Sequence, residues 1–484
     1  MPYFPVFVII SVYFLYVALF SAYHFRLPRW EVVIVGLALV SQAALTELKF
    51  GPASLRIYLL TPLFLYSLIR IGNLRLNPKH FMLFTSFIIF CLVFFLWTVV
   101  AESANGDGLK PGRGVLSYGL AFVAKRFVPL FFLITIVVFV QRRHDLKFLG
   151  FLLVSIIASS SLLGVLQFFN FGPAQRFHKM THPMTYMRYE LKEVFFGESI
   201  TIDQLSIAGL DHYSIPFSYS LITLGPLALA YALVSQNKNV LSRGFMLGIY
   251  MLSAVCVYLA RSRSGIIATG FSVTIVFFLA PRVFREVRFS RFVMLAVLGV
   301  LLICISLVVI GSMETVTLKY TDFNRMGDYS DVHRIETAVK ALSEIGRYPV
   351  FGIGIGEFSR RHPTVPHNAI LNAGVYFGIP GVIFCLGSYL LVGWFLWHCL
   401  KKRSVQSTSW IGFGALMGIV SYEWNGLTHN SSFVTGGVWL LIMMGLLLCS
   451  LSIEAADLQI ERRAKISNWF RLWQEMPPQT VQQT

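Results

Sequence analysis

The sequence predicts an all-α polytopic membrane protein with about 12–13 transmembrane helices. Three observations predict it. Hydrophobic residues make up 56% of the 484 residues and charged residues only 13%, a balance too apolar for a soluble domain. Apolar runs of roughly 20 residues, the length that crosses a bilayer as a helix, recur along the whole chain. Between them stand short basic segments, QRRHDLK (141–147), QNKNVLSR (236–243), PRVFREVRFSR (281–291) and KKR (401–403), which mark cytoplasmic loops.

From those anchors the spans fall near 4–22, 31–47, 57–71, 81–101, 117–140, 148–168, 214–235, 244–260, 264–281, 292–311, 367–397, 408–424 and 432–452. The run Tyr3 to Ala22 has no basic segment before it and no small-residue cleavage site after it, so it reads as a retained span. The stretch 31–47 is short and ends in Glu47 and Lys49, and 367–397 is long enough to include a surface piece. With thirteen spans the N-terminus faces outward, and the tail carrying Arg462, Arg463 and Lys465 faces the cytoplasm. The chain then divides into N-terminal helices 1–204, a core 205–400 that includes an external loop 312–366, C-terminal helices 401–452 and a tail 453–484.

The formal charge of +17 raises nucleic acid as a partner, but the basic residues are dispersed among membrane-flanking loops and no basic domain forms, so none is expected. All six cysteines lie inside apolar runs without a CxxC pair, which suggests neither a disulfide framework nor a metal site.

The alternation of spans places 102–116, roughly 169–213, the turn Arg261–Ser264 and roughly 312–366 on the outer side. Arg261 and Arg263 of YLARSRSGII therefore run against the positive-inside bias, and an arginine near the interface is costly unless it is paired or snorkels to lipid phosphates. Small neighbours in Ser262-Arg263-Ser264-Gly265 allow close approach of a ligand, and a diphosphate fits. Lys125 and Arg126 interrupt 117–140 near its outer end. They snorkel, pair with an acid such as Glu102, or join the same anion site.

Within the external loop, DVHRIETAVKALSEIG (331–346) sets Ile335, Val339, Leu342 and Ile345 at helical spacing, with Arg334, Glu336, Lys340 and Glu344 on other faces. Such an amphipathic helix lies on the bilayer or roofs a cavity. Ser330 or Asp331 can cap its start; Gly346 and Pro349 end it. Gly352, Gly354 and Gly356 form a G-x-G-x-G run that lacks the strand of a nucleotide fingerprint, and a simple tight turn is the favoured reading over an anion cradle. His367 and Asn368 then open an apolar helix after Pro366. They either satisfy free backbone donors at the helix start or, in the case of the histidine, transfer a proton.

In order and spacing, SRSG (262–265), the Arg334-led helix, YPVFGIGIGEF and HNAILNAGVYFGIPG resemble the core of the O-antigen ligase and polymerase family of bacterial envelope enzymes. The resemblance covers about 205–384, with GLDHYSIPFSYSLITLGPLALA (209–230) similar to the family's preceding loop and helix. It implies a GT-C-like membrane glycosyltransferase that uses a glycan on undecaprenyl diphosphate at the outer face of the bacterial inner membrane. The acceptor would be a polysaccharide or lipid A core. By the same resemblance Arg263 and Arg334 bind the donor diphosphate and His367 is the catalytic base. From the reading of the residues themselves, Arg261, Lys125, Arg126, Arg347 and Asn368 complete the expected substrate-binding set.

The chemistry of these residue types agrees. Arginines stabilise a departing diphosphate through bidentate contacts, and a neutral imidazole relieves an acceptor hydroxyl of its proton. Neither a metal nor another cofactor is expected, and paired carboxylates of the glycosidase kind are not evident. His333, His212 and His429 are further candidates for the base. Ligase, polymerase and protein O-oligosaccharyltransferase activities are not separated by these motifs. A flippase of lipid-linked sugars would also want arginines facing a diphosphate, but no internal repeat is evident.

Overall fold

The computed structural model describes residues 4–45, 49–50, 53–73, 78–104, 115–182, 207–211, 214–234, 239–260, 262, 264–271, 273–274, 335–355, 357–362, 366, 368–401, 410–428, 437–453 and 456. The protein is all-α; among the described residues one two-residue strand pair occurs, β1 (Lys49–Phe50) with β2 (Ala53–Ser54). Its helices are α1 (Phe4–His24), α2 (Trp30–Ala44), α3 (Leu55–Arg70), α4 (Pro78–Ala104), α5 (Val115–Phe139), α6 (Arg143–Phe168), α7 (Gly172–Thr181), α8 (Ser214–Val234) and α9 (Val240–Leu259). They continue as α10 (264–271), α11 (335–347), α12 (Glu357–Arg361), α13 (Ala369–Lys401), α14 (Trp410–Thr428) and α15 (Val438–Ile453). Among the described residues six helices are long and apolar enough to cross a membrane, and three shorter apolar ones accompany them. The expected span 292–311 and residues 272 and 275–281 of the span 264–281 lie outside the described residues.

Sequence explains why these helices pack as they do. Leu224, Leu227 and Ala228 of α8 are fully buried, and α14 is the helix most closely applied to it. The contact is backbone on backbone: a Cβ on Gly414 would lie 2.7 Å from Leu227 Cα, and one on Gly418 2.1 Å from the Thr223 carbonyl. Gly414 and Gly418 form a small-xxx-small face, which is how helices approach closely where lipid offers no hydrophobic driving force. Asn239 starts α9 by accepting the Leu241 N–H at 3.0 Å. Cys91, Cys256, Cys385 and Cys449 are buried free thiols, each inside a helix.

Helix α13 is broken partway along. Gly378 of α13 has φ +70°, and Pro380 follows it. Proline offers no N–H to the Tyr376 carbonyl, and Ile379 N–H turns away to the Pro349 carbonyl at 2.7 Å. The freed carbonyls of Val375 and Tyr376 accept instead from Ile353 and Gly354 at 2.8 and 3.3 Å. A helix interruption is tolerated in this way when neighbouring backbone satisfies it again. The long stretch 367–397 thus contains a short segment, 369–377, whose Leu371, Val375 and Tyr376 pack with Ala341, Ile353 and Phe358 in a small separate core.

A Cβ on Gly378 would sit 2.5 Å from the carbonyl oxygens of both Pro349 and Val350, in a left-handed backbone that L side chains avoid. Gly378→Ala should therefore cost more than the about 1–2 kcal/mol of that conformation alone. Gly346→Ala has open space and should be neutral or mildly stabilising. Thermal unfolding of the two detergent-solubilised variants checks the contrast.

Candidate active site

The loop after α11 answers the question raised by its glycines. Gly352 N–H bonds the Tyr348 carbonyl at 3.0 Å, Ile353 and Gly354 bond α13, and Ile355 N–H donates to Glu102 Oε1 at 2.8 Å. The donors that an anion cradle would offer are engaged inside the protein. The tight-turn reading holds for the described part of the run; Gly356 lies outside it. Left-handed φ at Gly352 (+67°) and Gly354 (+85°) lets the loop press against α13, since a Cβ on Gly352 would meet the Val375 carbonyl at 2.5 Å.

Glu102, at the end of α4, is buried and clamps this loop to the bundle. Trp97, one turn and a half earlier, adds a second tie: its Nε1 donates to the Phe377 carbonyl at 3.3 Å and its ring stacks on Phe351 at 5.6 Å. The sequence offered Glu102 only as a partner for Lys125 or Arg126.

A charged cluster joins α11 and α12. Glu344 of α11 is buried and meets Arg361 Nη1 at 3.2 Å and His362 Nε2 at 3.3 Å. Arg361 Nε also bonds the buried Glu357 at 2.9 Å, and its guanidinium lies 5.4 Å from the Tyr348 ring centre. The hydrogen bond to Glu357 pushes the Arg361 pKa above its ordinary value. The cluster holds the end of α11 against the segment that leads toward residue 367.

A second polar group surrounds the loop before α8. Gln167 Oε1 accepts the N–H groups of Ala208 and Gly209 at 3.0 and 2.9 Å, and Ser160 Oγ accepts that of Leu210 at 3.0 Å. Ser220 Oγ donates to Asp211 Oδ2 at 2.6 Å, and His178 Nε2 lies 2.7 Å from the Asp211 carbonyl. Of these residues Ser160, Leu210, Asp211 and Ser220 line a water-sized cavity together with Trp439.

Burial raises the Asp211 carboxyl from 3.8 to about 7, against the Ser220 hydrogen bond that lowers it. Between those two values the folded chain keeps a proton that the unfolded chain has lost. The Asp211 contribution to stability is therefore greatest below the unfolded value and falls as pH rises toward 7. Asp211→Asn should flatten that fall, as read from unfolding midpoints of both proteins across the window.

The expected site residues are distributed unevenly over the described chain. Arg261, Arg263, Arg334 and His367 lie outside the described residues, as do His212, His333 and His429. Lys125 and Arg126 fall on α5. Arg347 is exposed at the last position of α11. Asn368 Oδ1 accepts the N–H groups of Ile370 and Leu371 at 2.8 and 3.2 Å, so it caps α13, the helix-start role weighed from sequence. Next to the undescribed Arg261 and Arg263, Ser262 Oγ accepts the Gly265 N–H at 3.2 Å and starts α10.

Sequence reasoning missed Arg361, His362, Asp211 and Glu423. Glu423 of α14 is buried, and among the described residues neither carboxylate oxygen has a hydrogen-bond partner. A lone acid in an apolar run was the available signal, since such residues are expensive within a membrane.

Residues 248–386 match the family model described as O-antigen ligase. The segment is similar to that family's domain. It runs from α9 into the second part of α13 and contains Arg261, Arg263, Arg334, Arg347, His367 and Asn368, whereas Lys125, Arg126, Glu102, Asp211 and Glu423 lie outside it. The resemblance read from the sequence began at 205, and the family match begins at 248. No curated protein matches the chain. The matched segment covers the break in α13, the glycine turn and the Glu344–Arg361 bridge.

Proposed function

We propose that this protein transfers a glycan from undecaprenyl diphosphate to an acceptor hydroxyl, with the site at the outer, periplasmic face of the bacterial inner membrane. One observation carries the reading: the segment that matches the O-antigen ligase family holds Arg263, Arg334 and His367. The match supports a membrane glycosyltransferase of ligase or polymerase type, and the donor, the orientation and the mechanism are the proposal.

In that mechanism the acceptor oxygen attacks the anomeric carbon and its proton passes to His367. The bond from that carbon to the diphosphate oxygen breaks, and the electron pair leaves with the diphosphate, whose charge Arg263 and Arg334 hold. Single-step attack inverts the anomeric centre. The arginines supply the counter-charge, so the reaction proceeds without a divalent metal. Arg261, Lys125, Arg126 and Arg347 extend the cationic surface for the donor. Asn368 acts by fixing the start of α13 beside His367.

Transport of the same lipid-linked sugar is the second reading, favoured only by the arginines themselves. Transfer to protein is a third. Profiling surface glycans in cells that lack the protein tests the proposal: loss of glycan-capped lipid A core means ligation, and accumulation of single repeats means polymerisation. Unchanged glycans of both kinds would count against it.

A further inference from the structure

Helix α11 keeps the apolar face that its periodicity marked, apart from Ile345, which packs inward at Gly374. Its apolar residues Ile335, Val339 and Leu342 share one face, but that face is turned away from the protein, at 67%, 61% and 59% exposure. The face against the protein carries Thr337, Ala341 and Glu344, all buried, with Ile345 packed beside them against Gly374. At 100° per residue the helix is three-sided. One side meets the protein, one is apolar and uncovered, and between them run Glu336, Ser343 and Arg347, with Lys340 bonded to Glu336.

A helix with separate protein, apolar and polar sides fits the water–lipid boundary, where each side has its own solvent. The uncovered side also leads into a surface that already faces lipid. Tyr348 and Val350, directly after α11, are exposed, and the Pro349 carbonyl between them bonds Ile379 N–H. Ile379 heads the outward row Ile379, Ile383, Leu386 and Leu390 along the membrane-spanning part of α13. We infer that the bilayer leaflet at this end of the bundle covers α11, with Ile335, Val339 and Leu342 among the acyl chains and Glu336, Ser343 and Arg347 at the headgroups. The helix then docks on lipid and protein at once. This inference concerns placement and stands whether or not the protein transfers glycans.

Nitroxide labels at 335, 339, 342, 336 and 343 in bilayer nanodiscs test it, with the signal of the labelled parent chain subtracted. Collisions with oxygen should exceed those with a water-soluble nickel chelate at 335, 339 and 342, and the order should reverse at 336 and 343. Dominance of the nickel chelate at all five positions would place the helix in water. Exclusion of both reagents from 335, 339 and 342 would place a protein partner there; either result overturns the inference. The unmodified chain gives a second test that needs no substitution. A phospholipid with a photoactivatable acyl chain should crosslink to the peptide 335–342 as well as to the Ile379–Leu390 row, and labelling of that row alone would overturn the inference.

Discussion

Replacing Arg263 or Arg334 with Ala is expected to remove most glycan transfer while the protein remains in the membrane. The expectation rests on charge. Departure of a lipid diphosphate concentrates negative charge at an interface where water screens poorly, and a guanidinium offers two parallel donors to it. Lys keeps the charge but loses the fork, so Arg263→Lys and Arg334→Lys should restore activity poorly. Transfer by the purified variants from a lipid-linked donor, with membrane abundance measured in parallel, separates lost chemistry from lost protein. Normal product from both Ala variants would leave snorkelling to lipid phosphates as the better explanation of these arginines.

His367→Ala is expected to slow turnover at least about 10²-fold, the low end of what a general base contributes. Donor binding should persist, because the arginines remain. Binding and chemistry then separate in one variant, which a merely structural histidine would not achieve. The rate of the unmodified enzyme should fall as pH drops through the histidine range, since protonation removes the accepting lone pair, and the variant should lose that dependence. Near-full turnover of the Ala variant with purified donor and acceptor would move the base to another histidine. His362 is then a candidate that sequence reading passed over; its ring already meets a buried carboxylate, Glu344.

The bundle was legible because spanning helices announce themselves by length and apolarity. The broken helix was half legible. Its 33 residues exceed one crossing, but the register of the break depends on which carbonyls Pro380 leaves free and on Ile353 and Gly354, some 25 residues earlier, arriving to meet them. The glycine turn was readable for a local reason: without a strand before it, a G-x-G-x-G run lacks the frame that aims its N–H groups at phosphate. By contrast, periodicity grouped Ile335, Val339 and Leu342 correctly but carried no information on whether their face meets protein or lipid, and the structure turns it outward. Glu102, Asp211 and the Glu344–Arg361 bridge were hidden because each acts across 9 to 253 positions of chain, where no spacing rule reaches.

The most direct test of the proposed chemistry is to follow the donor through a reaction with purified protein in nanodiscs, an undecaprenyl-diphosphate-linked glycan and its acceptor, in excess chelator. Cleavage of the sugar–diphosphate bond is the discriminating event. Free undecaprenyl diphosphate should appear in step with an acceptor that carries the glycan in inverted configuration, and Arg263→Ala should abolish both. Intact donor carried across the bilayer of a liposome with its bond unbroken would contradict the transferase and support transport, and an absolute requirement for added divalent metal would contradict the arginine-only stabilisation of the leaving group.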